Sequence, residues 1–119
     1  MLPLTTDRLL LRMVRPDDTA RVGAYRNDPE VAKYQDWPLP YTEQMVVDRL
    51  TAREGVPVEE QLENGMNLII EVDGEGVGDV YVQVKDGLAE VGWTLPLAAR
   101  GRGYATEAAN ELLLSLIHI

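Results

Sequence analysis

Apolar positions along the chain fall into two spacings, one of strands and one of helices. Residues 8–14 (Arg-Leu-Leu-Leu-Arg-Met-Val) follow a Thr-Thr-Asp turn signal as a short apolar run, which predicts a strand. Pro16-Asp17-Asp18 is a helix-start signature, and a helix is expected over 17–27. Pro29, Pro38 and Pro40 interrupt the next stretch, so Tyr34, Trp37 and Tyr41 fall in an irregular segment. Thr42 is then a cap for a second helix over 42–54, with Met45, Val46 and Leu50 as its apolar face. Two β-rich runs, 67–72 and 77–84, flank Asp73-Gly74-Glu75-Gly76 and predict a hairpin. Asp86-Gly87 marks a second turn, with a third strand through 89–95. From Tyr104 onward Ala105, Ala108, Ala109, Leu112, Leu113 and Leu116 recur at helical spacing, so the chain closes on a helix. The expected order is β-α-α-β-β-β-α, a mixed α/β (α+β) fold with a mostly antiparallel sheet flanked by helices. No repeat or linker divides it, and 119 residues suffice for one domain with one core.

Composition removes several chemistries. The net charge is −9, which disfavours nucleic acid and anionic membrane as partners. Cysteine is absent, so disulfides, thiolate nucleophiles and cysteine-bearing zinc sites are out of reach. The single histidine, His118, leaves no basis for a Ser-His-Asp triad or a histidine metal cluster, and no metal is expected. The amino-terminal residues Met-Leu-Pro-Leu-Thr-Thr-Asp lack the basic patch and apolar stretch of a secretory signal. The longest mostly apolar run, 112–119, falls well short of the roughly 20 residues of a bilayer span, so a soluble, cytoplasmic protein is expected. The acids are unevenly placed: between Glu54 and Asp79 there are eight of them and no base. Such a run is ordinarily a solvated face, with Asp79 turned to solvent, and the rival reading is a field that gathers a cationic substrate.

The strongest candidate chemistry lies between the last strand and the last helix, in Arg100-Gly101-Arg102-Gly103-Tyr104-Ala105. Two glycines let the backbone bend freely, and a helix start offers unpaired N–H groups with partial positive charge. Together with Arg100 and Arg102 these would cradle a phosphate, and contact with phosphate is favoured over an ordinary surface role for both arginines. The dinucleotide fingerprint fails, because Thr106 stands where a third small residue belongs. The Walker pattern fails too, since Gly-Lys-Ser and Gly-Lys-Thr are both absent.

The loop resembles the acetyl-CoA pyrophosphate loop of the GNAT acetyltransferase superfamily. The segments Thr6-Asp7-Arg8-Leu9-Leu10-Leu11-Arg12, Trp37-Pro38, Gly76-Val77-Gly78-Asp79-Val80, Glu90-Val91-Gly92-Trp93 and Gly103-Tyr104-Ala105-Thr106-Glu107-Ala108 resemble, more narrowly, the branch that includes ribosomal-protein N-terminal acetyltransferases. The resemblance runs from Leu4 to about Leu114. It implies acetyl-CoA as co-substrate, with its pantetheine arm on a bulge at Trp93-Thr94-Leu95 and its pyrophosphate over the loop, Gly101 to Ala105 included. It also implies direct attack by a neutral primary amine, either a protein N-terminus or a small molecule. An α-amine is the easier acceptor, because its reference pKa lies about 2.4 units below that of lysine, worth about 3.3 kcal/mol of deprotonation at neutral pH. Glu90 is the candidate base; equally, it is a cross-strand partner of Lys85 or an arginine. Tyr34 and Trp37 are candidates for the amine pocket, against the plainer reading that they pin a loop to the core. Trp93 is also read as core packing, and Glu107 as an acid suited to a helix start.

The family pattern continues beyond this last helix with further strands and a helix that bears a tyrosine acid. The chain is therefore expected to be the N-terminal portion of one such domain, 1–114, truncated at its C-terminus, with 115–119 a tail foreign to it. Without those elements the strand of Trp93 is left with an open edge, which favours aggregation or completion by another chain, as in a homodimer. The alternative to a working acetyltransferase is a non-catalytic CoA-binding module or an inert fragment.

Overall fold

A computed structural model describes residues 2–33 and 35–117, with backbone alone at 116 and 117. Five antiparallel strands lie side by side in chain order: β1 (Leu4–Thr5), β2 (Leu10–Met13), β3 (Met66–Val72), β4 (Glu75–Lys85) and β5 (Leu88–Thr94). Between β2 and β3 come α1 (Thr19–Arg26), α2 (Pro29–Ala32), α3 (Glu43–Ala52) and α4 (Val58–Asn64), and α5 (Tyr104–Ile117) follows β5. Three predicted elements are shorter than expected. The strand over 8–14 is confined to β2; the helix over 17–27 opens as a 3-10 turn, Pro16–Asp18, before α1; and α3 starts after its cap, Thr42, whose hydroxyl accepts from the Met45 N–H at 3.3 Å. The two-residue β1, the one-turn α2 and α4 are additions to the predicted order.

Two tight turns build the meander of β3, β4 and β5. Val72 pairs with Glu75 and Lys85 with Leu88, so each loop has two residues. Asp73-Gly74 (φ 51° and 82°) and Asp86-Gly87 (φ 53° and 76°) both take the left-handed values of a type I′ turn, whose twist matches that of the strands. One register shift interrupts the β3–β4 ladder: Ile70 faces Gly78 while Glu71 faces Gly76, which leaves Val77 as a bulge in β4.

Alternation then sorts the side chains onto two faces. On one, Leu11, Leu68, Ile70, Val80 and Val82 pack with Leu62 of α4 and with Ala108 and Leu112 of α5. On the other, Ile69 joins Val22 and Tyr25 of α1, Tyr41, and Val46 of α3. Because both faces are covered, polar residues on the central strands are buried as well. Arg12 reaches Asp18 at 2.8 Å and Glu71 at 2.9 Å, and so ties β2, the 3-10 turn and β3 together.

Asp79 corrects the solvent-facing expectation. It is 1 % exposed and accepts from Arg26 at 2.7 Å, from Asn67 Nδ2 at 2.9 Å and from the Tyr25 hydroxyl. Its strand is central, so alternation points it at α1 rather than at water, and Arg26 neutralises it. Of the eight acids between 54 and 79, Asp79 and Glu71 are thus paired with arginines, and the other six lie on the surface.

Candidate functional site

The end of β5 lies very close to the backbone of β4. Thr94 pairs with Asp79, and Leu95 then crosses Gly78 so closely that a Cβ there would lie 2.5 Å from Leu95 Cδ2 and 2.7 Å from the Thr94 carbonyl. Pro96 cannot donate to a ladder, and the chain leaves the sheet through a 3-10 turn, Leu97–Ala99, that buries Ala99 in the core. The expected bulge at 93–95 is absent: the β4–β5 register is unshifted from Leu88 to Thr94, because the chain departs at Pro96 instead of resuming a displaced ladder. On its outer side β5 has no partner strand among the described residues.

From there the loop turns into α5. Gly101 and Gly103 have φ of 79° and 78°, values that disfavour any residue with a Cβ. Arg100 Nε donates to the Leu95 carbonyl at 3.0 Å, which closes the loop onto the end of the strand. The Arg102 carbonyl accepts from Arg8 Nη1 at 2.8 Å. In a trans peptide the N–H lies opposite the carbonyl, so the N–H of Gly103 points away from Arg8. The first backbone bond from α5 onto the loop runs from Glu107 N to Gly103 O at 3.0 Å. The N–H groups of Tyr104, Ala105 and Thr106, one turn earlier, have no acceptor among the described residues. Unpaired amides at the start of a fourteen-residue helix, flanked by the exposed Arg102, line a cradle suited to an anion.

A strap from the opposite end of the chain holds this cradle, and it went unseen in the sequence. The Glu107 carboxylate accepts from the Thr6 hydroxyl, from the Arg8 N–H at 3.1 Å and from Arg8 Nε at 2.7 Å, while the Arg8 guanidinium lies 4.9 Å from the centre of the Tyr104 ring. The Thr6 hydroxyl first, and then Arg8, hold Glu107 below the usual carboxylate range. Arg8 thereby becomes a third guanidinium beside the loop. The signal lay in Thr6-Asp7-Arg8, but its partner is 99 residues away.

The other candidates are dispersed. Trp93 is 53 % exposed on the α5 face of β5, not packed in the core, because β5 is the edge strand. Thr94 and Leu95 bury their side chains and offer backbone alone. Glu90 is exposed on the α1 and α3 face, opposite Gln83; Lys85 faces Leu88 instead, and Glu90 forms no salt bridge among the described residues. It lies four positions before Thr94, about 13 Å along the strand. Trp37 donates from Nε1 to the Arg26 carbonyl at 2.9 Å and stacks 4.7 Å from the Arg26 guanidinium. Tyr34 lies outside the described residues. Behind Thr94, burial opposes the Arg26 charge but Asp79 and the flanking tyrosines raise its pKa on balance, while burial and Asp79 both raise that of Tyr25. No group of three His, Cys, Asp or Glu among the described residues is placed to hold a metal, and no helix there is long and apolar enough to cross a membrane.

Comparison with known proteins bears on the family and the fold. Residues 8–116 match the model of the acetyltransferase (GNAT) domain. The uncharacterized N-acetyltransferase p20 of Bacillus licheniformis is 30 % identical over 92 % of the chain, which spans 63 % of that relative's length. Ribosomal-protein-S5-alanine acetyltransferase from Vibrio fischeri superposes with a TM-score of 0.72 at 15 % identity, over 95 % of this chain and 66 % of its own. The Microcin C7 self-immunity acetyltransferase MccE, solved with acetyl-CoA and AMP, gives 0.67 at 19 % identity over 92 % of this chain and 63 % of its own. Those two likenesses speak for the fold alone. The family model, which covers nearly the whole length, decides the identity: this chain belongs to the GNAT acetyltransferase family.

Proposed function

We propose that the chain binds acetyl-CoA and serves an N-acetyltransferase that moves the acetyl group to a primary amine. The observation that carries this reading is the set of unreceived N–H groups at the start of α5, behind two left-handed glycines and beside Arg102. They suit the pyrophosphate, and the open edge of β5 beside Trp93 suits the pantetheine arm. Bound there, the thioester supplies an activated acyl group. The chain's own contribution is to orient it with fixed backbone amides and to remove a proton from the incoming ammonium. Glu90 is the assigned base, on the face that α1 and α3 cover, and at about 13 Å along β5 from Thr94 it acts through a chain of waters rather than directly. Arg100 contributes less than the motif implies, because its Nε already holds the strand end. For the acceptor we favour an α-amine, which loses its proton at lower cost than lysine, as in the neighbour whose name specifies an alanine of ribosomal protein S5. Trp37, fixed against Arg26, and Tyr34 are assigned to its approach.

Calorimetry with CoA and thiol release from acetyl-CoA over a panel of peptide and small amines test the proposal. Wild-type chain binds CoA. Gly103→Val abolishes binding, since its Cβ is strained at φ 78° and lies 3.3 Å from Arg8 Nη2, and Arg102→Ala weakens it about tenfold or more. Binding with no turnover on any amine returns the non-catalytic module; no binding overturns the proposal.

A further inference from the structure

Away from the loop, a cavity of about 350 Å³ opens on the opposite face of the sheet, between α3, the start of α4 and β3. None of residues 93–105 lines it. Val46, Leu50, Met66 and Ile69 give it an apolar wall, and Arg49 and Arg53 lie on the same lining. What distinguishes the cavity is its charge. Arg26 and Asp79 also border it, but they neutralise each other at 2.7 Å. Among the described residues Arg53 reaches only the Gly65 carbonyl, at 2.8 Å, and Arg49 only the amide oxygen of Asn67, at 3.3 Å. Neither forms a salt bridge among the described residues, and Glu54, an exposed member of the lining, pairs with neither. Burial first, and then Arg49, lower the pKa of Arg53, as expected of a guanidinium partly withdrawn from water without a counter-charge. Taken together, Arg49, Arg53, Glu54 and the neutral Arg26–Asp79 pair leave one positive charge over an apolar hollow of ligand size.

We propose that this cavity binds a small monocarboxylate with an aliphatic body, its carboxylate on Arg53 and Arg49 and its chain against Val46, Leu50, Met66 and Ile69. A cationic or zwitterionic ligand would leave the charge uncancelled. A neutral one would give up the charge-assisted, forked hydrogen bonds that a guanidinium makes with a carboxylate.

Octanoate is the probe, with octanamide as its neutral isostere. Calorimetry should show octanoate binding to the wild-type chain, octanamide about tenfold weaker or worse, and a similar loss for octanoate on Arg53→Met. Arg53→Lys, which keeps the charge and loses the fork, should fall between. Circular dichroism establishes that each variant is folded. A measurement on the unaltered chain accompanies them: nuclear Overhauser contacts from the octanoate chain to the methyl groups of Met66 and Ile69, retained under saturating CoA. Absent binding, equal affinity for octanamide, unchanged affinity in folded Arg53→Met, missing contacts, or displacement by CoA each overturns the proposal. Because the readouts need no acetyl transfer, failure here leaves the acetyl-CoA reading intact, and the reverse holds too.

Discussion

The buried ion pair behind Thr94 makes a prediction with a built-in asymmetry. Asp79 accepts from three donors, on Arg26, Tyr25 and Asn67, whereas Arg26 has one carboxylate. Both are almost fully withdrawn from solvent, at 1 % and 4 % exposure. Breaking a buried pair from one side costs about 3–5 kcal/mol, a large share of the roughly 5–15 kcal/mol that holds a domain folded. Asp79→Leu strands a guanidinium, a hydroxyl and an amide together, so it should reach or exceed the upper figure. Arg26→Met leaves Asp79 with two neutral donors and should stay near the lower one. In the double variant no charge is left unpaired, so its cost should fall below the sum of the singles by about 1–3 kcal/mol. Urea unfolding provides the assay, followed through Trp37, whose ring stacks on Arg26; because Arg26→Met alters that reporter, circular dichroism is recorded in parallel. Equal costs for the two singles, or strict additivity in the double, would refute the reasoning.

The Thr6–Arg8–Glu107 strap should respond to pH. Because the folded pKa of Glu107 is lowered, its contribution is complete above the ordinary carboxylate value of about 4.3 and is lost as pH falls through the lowered one. Hydrogen-exchange protection of the Arg8 amide should follow that course, while Glu107→Gln shows reduced protection at every pH; an Arg8 amide unaffected by the substitution would count against the strap. Gly78→Ala should cost about 1–3 kcal/mol, since its Cβ meets the Thr94 carbonyl as well as Leu95. An unchanged denaturation midpoint would show that β5 moves aside freely. Thr42→Ala should lose about 1 kcal/mol through the cap of α3, also read from urea unfolding, and Thr42→Asn should retain most of it.

What the sequence made legible was local. Asp73-Gly74 and Asp86-Gly87 announce two-residue hairpins because few other residues accept those dihedrals, and the register of three strands is set by them. The bend ahead of α5 was legible for the same reason, as glycines ahead of a helical repeat. Other parts depended on distant partners. Nothing near Arg8 in sequence indicates Glu107, and nothing near Asp79 indicates Arg26, 53 residues earlier. The acidic run concealed α4, although Pro57 with Glu59 and Glu60 is a fair helix start; the acids there serve the first turn of a helix. Trp93 misled because an aromatic on a strand is ordinarily covered, and an edge position cannot be read from one strand's pattern.

The meander of β3, β4 and β5 also bears on the order of assembly. Its ladders join residues close in sequence, whereas Leu10 must find Glu71 and Arg8 must find Glu107 across most of the chain. Closing those long loops is entropically expensive before any contact rewards it. The two hairpins therefore offer a ready template on which the amino-terminal strands dock late. Arg8, the residue that fastens the loop ahead of α5, comes with the last of them, so the proposed anion site is complete only once the amino-terminal strands are in place.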